Sequence, residues 1–315
     1  MRPDISVIMA VHNSEETLAE SIRSILDQTY DNIEFFIILD GCTDHSIDIV
    51  ERFRVKDLRI QPVVLTSCHG LAYALNVALG HARGTYIARQ DADDISFSNR
   101  LERQMDFMER HPDVFLLGSA AILLDKETGE TRRLYKRSHY IRKSFTSPRR
   151  IFQTSIFHPT IFFRNEGYLY REKFFLSQDY DFYLRLLSDN KRLYTLADPL
   201  IQYRYQPSET TAEKQYRQRL FAQAARDMYC QRRSCGNDKY DEFDPAALRQ
   251  QPMPPAEFVK HEVQTYFKVN NMDEARRCLK IFWSTHGVPL WSCGYYMATF
   301  FPKPVLSVIR RILFS

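Results

Sequence analysis

The sequence predicts an α/β fold with a mostly parallel central sheet flanked by helices and a helical C-terminal extension. Over the first hundred residues, short β-rich runs alternate with stretches of helical periodicity, which is the pattern of a parallel sheet with crossover helices. After residue 208 the composition changes to polar segments with helical spacing. We therefore expect a sheet domain over residues 1–208 and a helical extension over residues 209–315.

The predicted strands are short runs rich in β-branched and aromatic residues. They cover residues 5–11, 33–39, 60–65, 85–89, 114–125 and 200–205. Pro62 cannot donate a hydrogen bond to a neighbouring strand, so the third strand is expected at an edge of the sheet or in an irregular position.

The predicted helices are stretches in which apolar residues recur every three or four positions. The first helix follows Asn13, with Leu18, Ile22, Ile25 and Leu26 at helical spacing. The others cover residues 47–53, 71–81, 98–110, 178–189 and 212–229, and two more lie within 257–283, around Asn270 and Asn271. Asn13 and Glu16 have the spacing of a capping box, so both are expected to cap the first helix.

Composition and charge exclude several classes of protein. The chain has 315 residues, of which 44% are hydrophobic and 26% charged, as in folded globular proteins. Its net charge of +4 is too small to indicate a nucleic-acid partner. The six cysteines form no Cys-x-x-Cys pair, and no long apolar run suggests a signal peptide or a good spanning helix. We expect a cytoplasmic protein.

Acidic residues directly follow two of the predicted strands. Asp40 and Asp44 follow the second strand, and Asp91, Asp93 and Asp94 follow the fourth. Ligands bind beyond the carboxyl ends of the strands in open α/β sheets, so a ligand site is expected here. Three carboxylates this close repel one another unless a cation binds, and Mg²⁺ or Mn²⁺ would complete its shell with phosphate oxygens.

The alternative is a solvated turn in which Asp94 or Ser96 caps the next helix. The same Asp91-x-Asp93 pair would also suit a phosphatase that forms an aspartyl-phosphate, although that motif usually follows the first strand rather than the fourth.

An ordered series of motifs extends along residues 4–208. Its members are Ile5-Ser-Val-Ile-Met-Ala-Val11-His-Asn13, Ser24-Ile-Leu-Asp-Gln28-Thr-Tyr30, Glu34-Phe-Phe-Ile-Ile-Leu-Asp40-Gly-Cys-Thr-Asp44, Gly70 with Ala74 and Asn76, Gly84-Thr-Tyr-Ile87, Asp91-Ala92-Asp93-Asp94, Arg100-Leu101 with Gln104, His158-Pro-Thr160, Gln178-Asp179-Tyr-Asp181-Phe-Tyr-Leu-Arg185 and Tyr203-Arg204. The series resembles that of family 2 glycosyltransferases of the GT-A type, and as an ordered set it is more specific than any single motif.

The resemblance implies transfer of a sugar, with inversion, from a nucleotide-sugar donor, a UDP-sugar first among them, to a hydroxyl of a saccharide or lipid-linked saccharide. It implies Mn²⁺ or Mg²⁺ as the cofactor, held by Asp93, with Asp91 contacting the metal shell or the ribose. Asp179 matches the general base. The nucleotide-sugar-binding positions are Val11, Asn13, Asp40, Asp44, Gly70, Asn76, Asp91, Ala92, Arg100 and His158. The nucleotide-binding half would end near residue 125, and the acceptor half would cover residues 126–208.

Two of these positions keep a structural alternative. Asp179 lies at the start of a predicted helix, where N-terminal amides would keep its carboxylate ionised, and an ordinary N-cap would look the same. His158 could contact the diphosphate, support the acceptor, or be a packed structural residue.

Three positions depart from the pattern of the family. Leu39 and Gln178 stand where relatives often have an acidic residue, and Gln206 stands where they often have a histidine. These departures keep a third class open, a non-catalytic protein that binds a nucleotide sugar or a membrane partner.

Two segments suggest contacts outside the sheet domain. Residues 131–165 hold nine lysine and arginine residues and no acidic residue. The part from Arg132 to Arg150 could form a solvated loop, a lid over the diphosphate, or a dock for an anionic acceptor or acidic lipids. Residues 281–301 are rich in aromatic residues, and residues 304–315 form an amphipathic pattern. This tail could lie on the cytoplasmic face of a membrane, pack on its own core, or form a homodimer contact.

Overall fold

The computed structural model describes residues 2–126, 129–134, 139–141, 156–205, 212–252, 255–268 and 272–300. The chain divides into two compact units. The first contains residues 1–207 and 221–245, and the second contains residues 208–220 and 246–315. The segment 221–245, which the sequence assigned to the extension, therefore belongs to the same unit as the sheet.

The first half of the sheet is parallel. Its strands are β1 (Ile5–Val11), β2 (Ile33–Asp40), β3 (Ile60–Leu65) and β4 (Tyr86–Asp91), connected through α1 (Leu18–Leu26), α2 (Ser46–Arg54) and α3 (Leu71–His81). The strand order is β3-β2-β1-β4, so β3 lies at the edge, as Pro62 predicts.

The second half makes the sheet mixed. It contains β5 (Ile95–Ser96), α4 (Arg100–Arg110), β6 (Val114–Asp125), β7 (Thr131–Leu134), β8 (His139–Ile141), β9 (Phe162–Arg164), α5 (Gln178–Ser188) and β10 (Arg192–Tyr205). The order continues β4-β9-β6-β10-β5, while β7 pairs with β6 and β8 with β10. The short strand β9 is antiparallel to both β4 and β6 and thereby joins the two halves.

The predicted capping box is wrong. Helix α1 begins at Leu18 with Thr17 as its N-cap, and Asn13 has a positive φ of 49°. The Asn13 side-chain oxygen instead accepts a hydrogen bond from the backbone N–H of Thr43 at 2.8 Å. The oxygen that would have capped the helix therefore joins the loop after β1 to the loop after β2.

The second unit is helical. It includes residues 212–220 of the long helix α6 (Ala212–Cys235), whose residues 221–235 belong to the first unit. The helices that follow are α7 (Pro245–Gln250), α8 (Pro255–Lys268), α9 (Met272–His286) and α10 (Leu290–Ala298). Val263, Ala275, Leu279, Tyr295 and Ala298 form a small buried core in this unit. Among the described residues, no helix has both the length and the apolar character needed to cross a membrane.

Candidate active site

The carboxyl ends of β1, β2 and β4 meet at one edge of the sheet. Val11 pairs with Leu39 next to Asp40, and Ala10 pairs with Asp91. This register brings the predicted ligand-binding residues of three strands to the same edge, as expected for parallel strands.

Asp91, Asp93 and Asp94 form a cluster in which one oxygen of each carboxylate lies within 4.8 Å of the others. Asp94 is fully buried, and its Oδ1 accepts a hydrogen bond from the backbone N–H of Arg204 at 3.0 Å. Its Oδ2 has no hydrogen-bond partner in the described part of the chain. Burial and the charges of Asp91 and Asp93 raise the pKa of Asp94 well above its ordinary value. A bound divalent cation would remove this repulsion, so the donor set fits Mg²⁺ or Mn²⁺.

The other two carboxylates have cationic partners. Arg89, whose side chain is 2% exposed, donates to both oxygens of Asp91, with Nη1 at 3.0 Å from Oδ2. Burial raises the pKa of Asp91 although Arg89 acts in the opposite direction. Asp93 is 39% exposed and lies 3.3 Å from Nζ of Lys126. Asp93 is therefore the more accessible of the two.

Arg100 supports the acidic loop from behind. Its side chain is fully buried, and its guanidinium donates to Gln90 Oε1 at 2.8 Å, Ser96 Oγ at 2.9 Å and the Arg89 carbonyl at 2.6 Å. Burial lowers its pKa to about 9. Arg100, which the sequence predicts to contact the nucleotide, therefore lies inside the protein and packs against β4, the strand that ends in Asp91.

Other groups fix the backbone of the same loop. The carbonyl of Ala92 accepts a hydrogen bond from the Thr17 hydroxyl at 3.1 Å, and the carbonyl of Asp93 accepts one from Arg204 Nη1 at 3.1 Å. Asp94 does not cap the next helix, and neither does Ser96, because the N-cap of α4 is Asn99.

Asp40 organises the loop that precedes α3. Its side chain is buried, and its two carboxylate oxygens each accept a backbone hydrogen bond of 2.8 Å, one from His69 and one from Gly70. Gly70 is the N-cap of α3 and has a φ of 93°, a conformation that glycine adopts without strain.

Asn13 and Asp44 connect the loops after β1 and β2. Asp44 accepts backbone hydrogen bonds from Ser46 at 3.0 Å and Glu15 at 2.9 Å. Burial acts to raise the pKa of Asp44, but hydrogen bonds from Ser46 and Glu15 outweigh it and lower the pKa. Val11 is buried, and its carbonyl lies 3.4 Å from the Cys42 thiol.

Asn76 holds a different loop. Its side-chain oxygen accepts from the backbone N–H of Tyr170 at 2.8 Å, and its amide donates to the Tyr170 carbonyl and to Glu172, both at 3.0 Å. The structure therefore engages its whole side-chain amide in anchoring residues 170–172 to α3.

Asp179 lies in the first turn of α5, after the N-cap Ser177. Burial raises the pKa of Asp179, while hydrogen bonds from the backbone N–H groups of residues 179 and 180 and the charge of Arg89 oppose the rise. The amides act as the sequence predicts, but burial outweighs them. The charge of Asp91 adds to the rise, so Asp179 lies within electrostatic reach of Arg89 and of the acidic cluster.

His158 belongs to the same region. Its Nε2 lies 2.8 Å from the Tyr170 hydroxyl, and the two share a hydrogen bond. Burial and the charge of Arg89 lower the pKa of His158 well below its ordinary value, so the ring is neutral.

Sequence reasoning missed Arg89, Tyr170 and Tyr183. The alternation of side chains along a strand places Arg89 on the same face as Asp91, which was a usable signal. Tyr183 follows Asp179 by four residues on a predicted helix, which was also a usable signal. Tyr170 carried none, because its position depends on hydrogen bonds to Asn76, which is distant in sequence. Leu39 is buried in β2 and Gln178 is the first residue of α5. Gln206, residues 304–315 and, within the basic stretch, residues 135–138 and 142–155 lie outside the described residues.

Comparisons with known proteins identify the class to which this fold and site belong. The family model described as Glycosyl transferase family 2 matches residues 6–175. The putative glycosyltransferase EpsE of Bacillus subtilis is 36% identical over 210 residues, which cover 64% of this chain and 73% of that protein. The O-antigen biosynthesis glycosyltransferase WbnJ of Escherichia coli is 32% identical over 219 residues, covering 65% and 81% respectively. The chain belongs to glycosyl transferase family 2.

Solved structures confirm the fold. S. aureus TarS 1-349 in complex with UDP-GlcNAc aligns with a TM-score of 0.57 and 19% identity, covering 98% of this chain and 92% of that chain. The mannosyltransferase PcManGT from Pyrobaculum calidifontis, in complex with GDP-Man and Mn²⁺, aligns with a TM-score of 0.54 and 17% identity, covering 100% and 86%. The predicted family and the GT-A fold are both confirmed.

Proposed function

We propose that this glycosyltransferase moves a sugar from a nucleotide-sugar donor to a hydroxyl of a saccharide or lipid-linked saccharide, with inversion at the anomeric carbon. The observation that carries the proposal is the cluster of Asp91, Asp93 and Asp94 within electrostatic reach of Asp179. A metal-binding group and a candidate base near each other are what a metal-assisted single displacement requires.

The names of the relatives support this class of donor and acceptor. TarS and PcManGT are described in complex with UDP-GlcNAc and GDP-Man. The E. coli protein WfaP, 40% identical over 105 residues that cover 33% of this chain, is named a UDP-Glc:alpha-D-GlcNAc-diphosphoundecaprenol beta-1,3-glucosyltransferase. We therefore favour a UDP-sugar donor and a role in polysaccharide biosynthesis.

We assign the acidic residues two roles, metal binding and general base catalysis. Asp93 would hold Mn²⁺ or Mg²⁺, with Asp91 and Asp94 beside it. When bound, such an ion stabilises the negative charge that develops on the departing nucleoside diphosphate. Asp179 takes the proton of the acceptor hydroxyl as its oxygen attacks, and its raised pKa makes it a stronger base than an exposed aspartate.

The remaining predicted contacts would surround the donor or support the residues that do. We assign Val11, Asn13, Asp40, Asp44, Gly70 and Ala92 to the loops that surround the nucleotide. The hydrogen bonds of Arg100 and Asn76 favour positioning roles over direct contact with the donor. His158 is a neutral ring near Arg89, suited to a hydrogen bond rather than to neutralising a diphosphate.

The experiment is a thermal-shift screen of nucleotide sugars with Mn²⁺, followed by a turnover assay with each stabilising donor. Asp93→Ala should abolish metal-dependent stabilisation and turnover, whereas Asp106→Ala, an exposed acidic residue on α4, should preserve both. Full activity in Asp93→Ala would disprove the metal assignment. Asp179→Asn should spare donor binding but remove transfer, and loss of donor affinity instead would deny it the role of base. A non-catalytic binder would show binding without turnover across the panel.

We also propose that the second unit contacts a membrane surface. Large apolar side chains are exposed on it, namely Phe258, Ile281, Val288, Leu290, Met297 and Phe300. Leu290, at 94% exposure, is the most exposed of these. Binding of the full chain to liposomes containing acidic lipids, reduced in Leu290→Ser with unchanged donor binding, would support this contact. A concentration-dependent dimer without liposome binding would favour the homodimer instead.

A further inference from the structure

Two buried side chains near Asp179 each contain a polar atom without a protein partner. Arg89 is 2% exposed and Tyr183 is 1% exposed. Neither Nε of Arg89 nor the hydroxyl of Tyr183 has a hydrogen-bond partner within the described parts of the chain. Buried polar groups in folded proteins are almost always hydrogen-bonded to protein or to ordered water, so these two atoms indicate a bound polar molecule.

The two atoms belong to one region. Tyr183 follows Asp179 by four residues on α5, so both side chains project from the same face of the helix. Burial and the nearby charge of Asp179 raise the pKa of the Tyr183 phenol well above its ordinary value, with the charge of Arg89 acting in the opposite direction, so the hydroxyl stays protonated and can donate a hydrogen bond. The guanidinium of Arg89 is held in place by its two hydrogen bonds to Asp91, which fixes the direction of its Nε–H group.

Neighbouring polar groups already have partners. The hydroxyl of Tyr170 and Nε2 of His158 are 2.8 Å apart and bond to each other. The ring of Tyr170 is buried and stacks on Phe182 with the centroids 4.7 Å apart. In this neighbourhood, the donors without a protein partner in the described residues are therefore Arg89 Nε and the Tyr183 hydroxyl. The carboxylate of Asp179 accepts from the backbone N–H groups of residues 179 and 180, and its two oxygens together can accept further hydrogen bonds.

We propose that a water molecule bound between Arg89 Nε and the Tyr183 hydroxyl donates a hydrogen bond to Asp179 and fixes the orientation of its carboxylate. The water accepts from Nε–H and from the tyrosine O–H, and it donates one proton to one carboxylate oxygen. The other oxygen stays available for the acceptor hydroxyl. Arg89 and Tyr183 are thus positioning residues, and the inference rests on the proposed base role of Asp179.

A crystal structure of the full chain, at a resolution that shows waters, tests the inference without any substrate. The expected result is one ordered oxygen within hydrogen-bond distance of Arg89 Nε, the Tyr183 hydroxyl and Asp179. Direct protein hydrogen bonds to both Arg89 Nε and the Tyr183 hydroxyl, with no water between them, would overturn the proposal.

Kinetics with UDP-glucose and Mn²⁺, or with whichever donor the screen identifies, provide the second test. Tyr183→Phe removes only the hydroxyl, so kcat should fall about three- to tenfold, as for a lost hydrogen bond between neutral groups, with KM for the donor and Tm nearly unchanged. Arg89→Lys keeps a cation beside Asp91 but lacks Nε, and it should lower kcat to a similar degree.

Tyr86→Phe is the matched control, because its hydroxyl contacts Arg164 at the other end of β4 and should not affect kcat. An unchanged kcat in Tyr183→Phe would refute the positioning role even if Asp179→Asn is inactive. Full activity of Asp179→Asn would instead refute the proposed function itself.

Discussion

Asp238 connects the segment 221–245 to the helix that carries Asp179. Its carboxylate oxygens accept hydrogen bonds from Arg171 Nη1 at 2.8 Å and Nη2 at 3.2 Å, and it also pairs with Arg232. Arg171 lies in turn 3.7 Å from Asp181, which is fully buried on α5. We predict that Asp238→Asn destabilises the first unit measurably.

The magnitude follows from the burial of these charges. The side chain of Asp238 is 4% exposed, and those of Arg232 and Arg171 are 11% and 19% exposed. Removing one partner of a buried ion pair costs ~3–5 kcal/mol. Asparagine still accepts one hydrogen bond and Asp181 still faces Arg171, so we expect about 2–3 kcal/mol. For a unit of roughly 230 residues, this corresponds to a fall in Tm of about 4–12 °C.

The assay is thermal unfolding of the full chain followed by circular dichroism. Asp241→Asn is the matched control, because the same substitution then falls on an exposed side chain three residues away. Equal melting temperatures for the two variants would show that the network of Asp238 does not stabilise the unit.

Three further predictions test the site and its support. Asn76→Ala should lower the free energy of unfolding by about 1–2 kcal/mol and leave KM for the donor unchanged. A raised KM would indicate that Asn76 contacts the nucleotide directly. Because the pKa of Asp179 is raised, kcat should increase with pH, and the apparent pKa of this increase should lie above the ordinary 3.8 of aspartate. An apparent pKa at or below 3.8 in the pH profile of kcat would contradict this. The pKa of Glu34 is lowered, since hydrogen bonds from Ser6 and Arg83 outweigh burial, so its stabilising effect is present above about 4.5 and lost in more acidic solution. Lowering the pH below about 4.5 should therefore reduce the denaturant midpoint of the wild type more than that of Glu34→Gln.

The parallel half of the fold was predictable because its signals are local. The limits of β1, β3, α3 and β6 match the predicted ranges, and the single residue Pro62 identified the edge strand. The strands β5 and β9 were not predicted, because two or three residues carry no periodicity. β9 exists through its pairing with β4 and β6, which are distant in sequence.

The meeting of the acidic residues at one edge of the sheet was predictable, but their hydrogen-bond partners were not. The rule that ligands bind at the carboxyl ends of parallel strands brought Asp40 and Asp91 to one edge. It could not show that Asp40 accepts its hydrogen bonds from residues 69 and 70, or that Asn76 anchors Tyr170, 94 residues further on. Whether a polar side chain contacts ligand or protein depends on such distant partners, and their identity is set by packing.

The family match and the structural unit end at different places, and the difference bears on how the site works. The matched region stops at residue 175, before Asp179, Arg204 and Asp238. Yet Arg204 bonds the backbone of Asp93 and the carboxylate of Asp94, and Asp238 pairs with Arg171 beside the helix of Asp179. Carboxylates that repel one another keep a fixed geometry only when groups from other elements hold them. The geometry of the acidic cluster therefore depends on β10, and residues 221–245 support the helix that carries the proposed base, so we expect the functional unit to include both segments beyond the matched region.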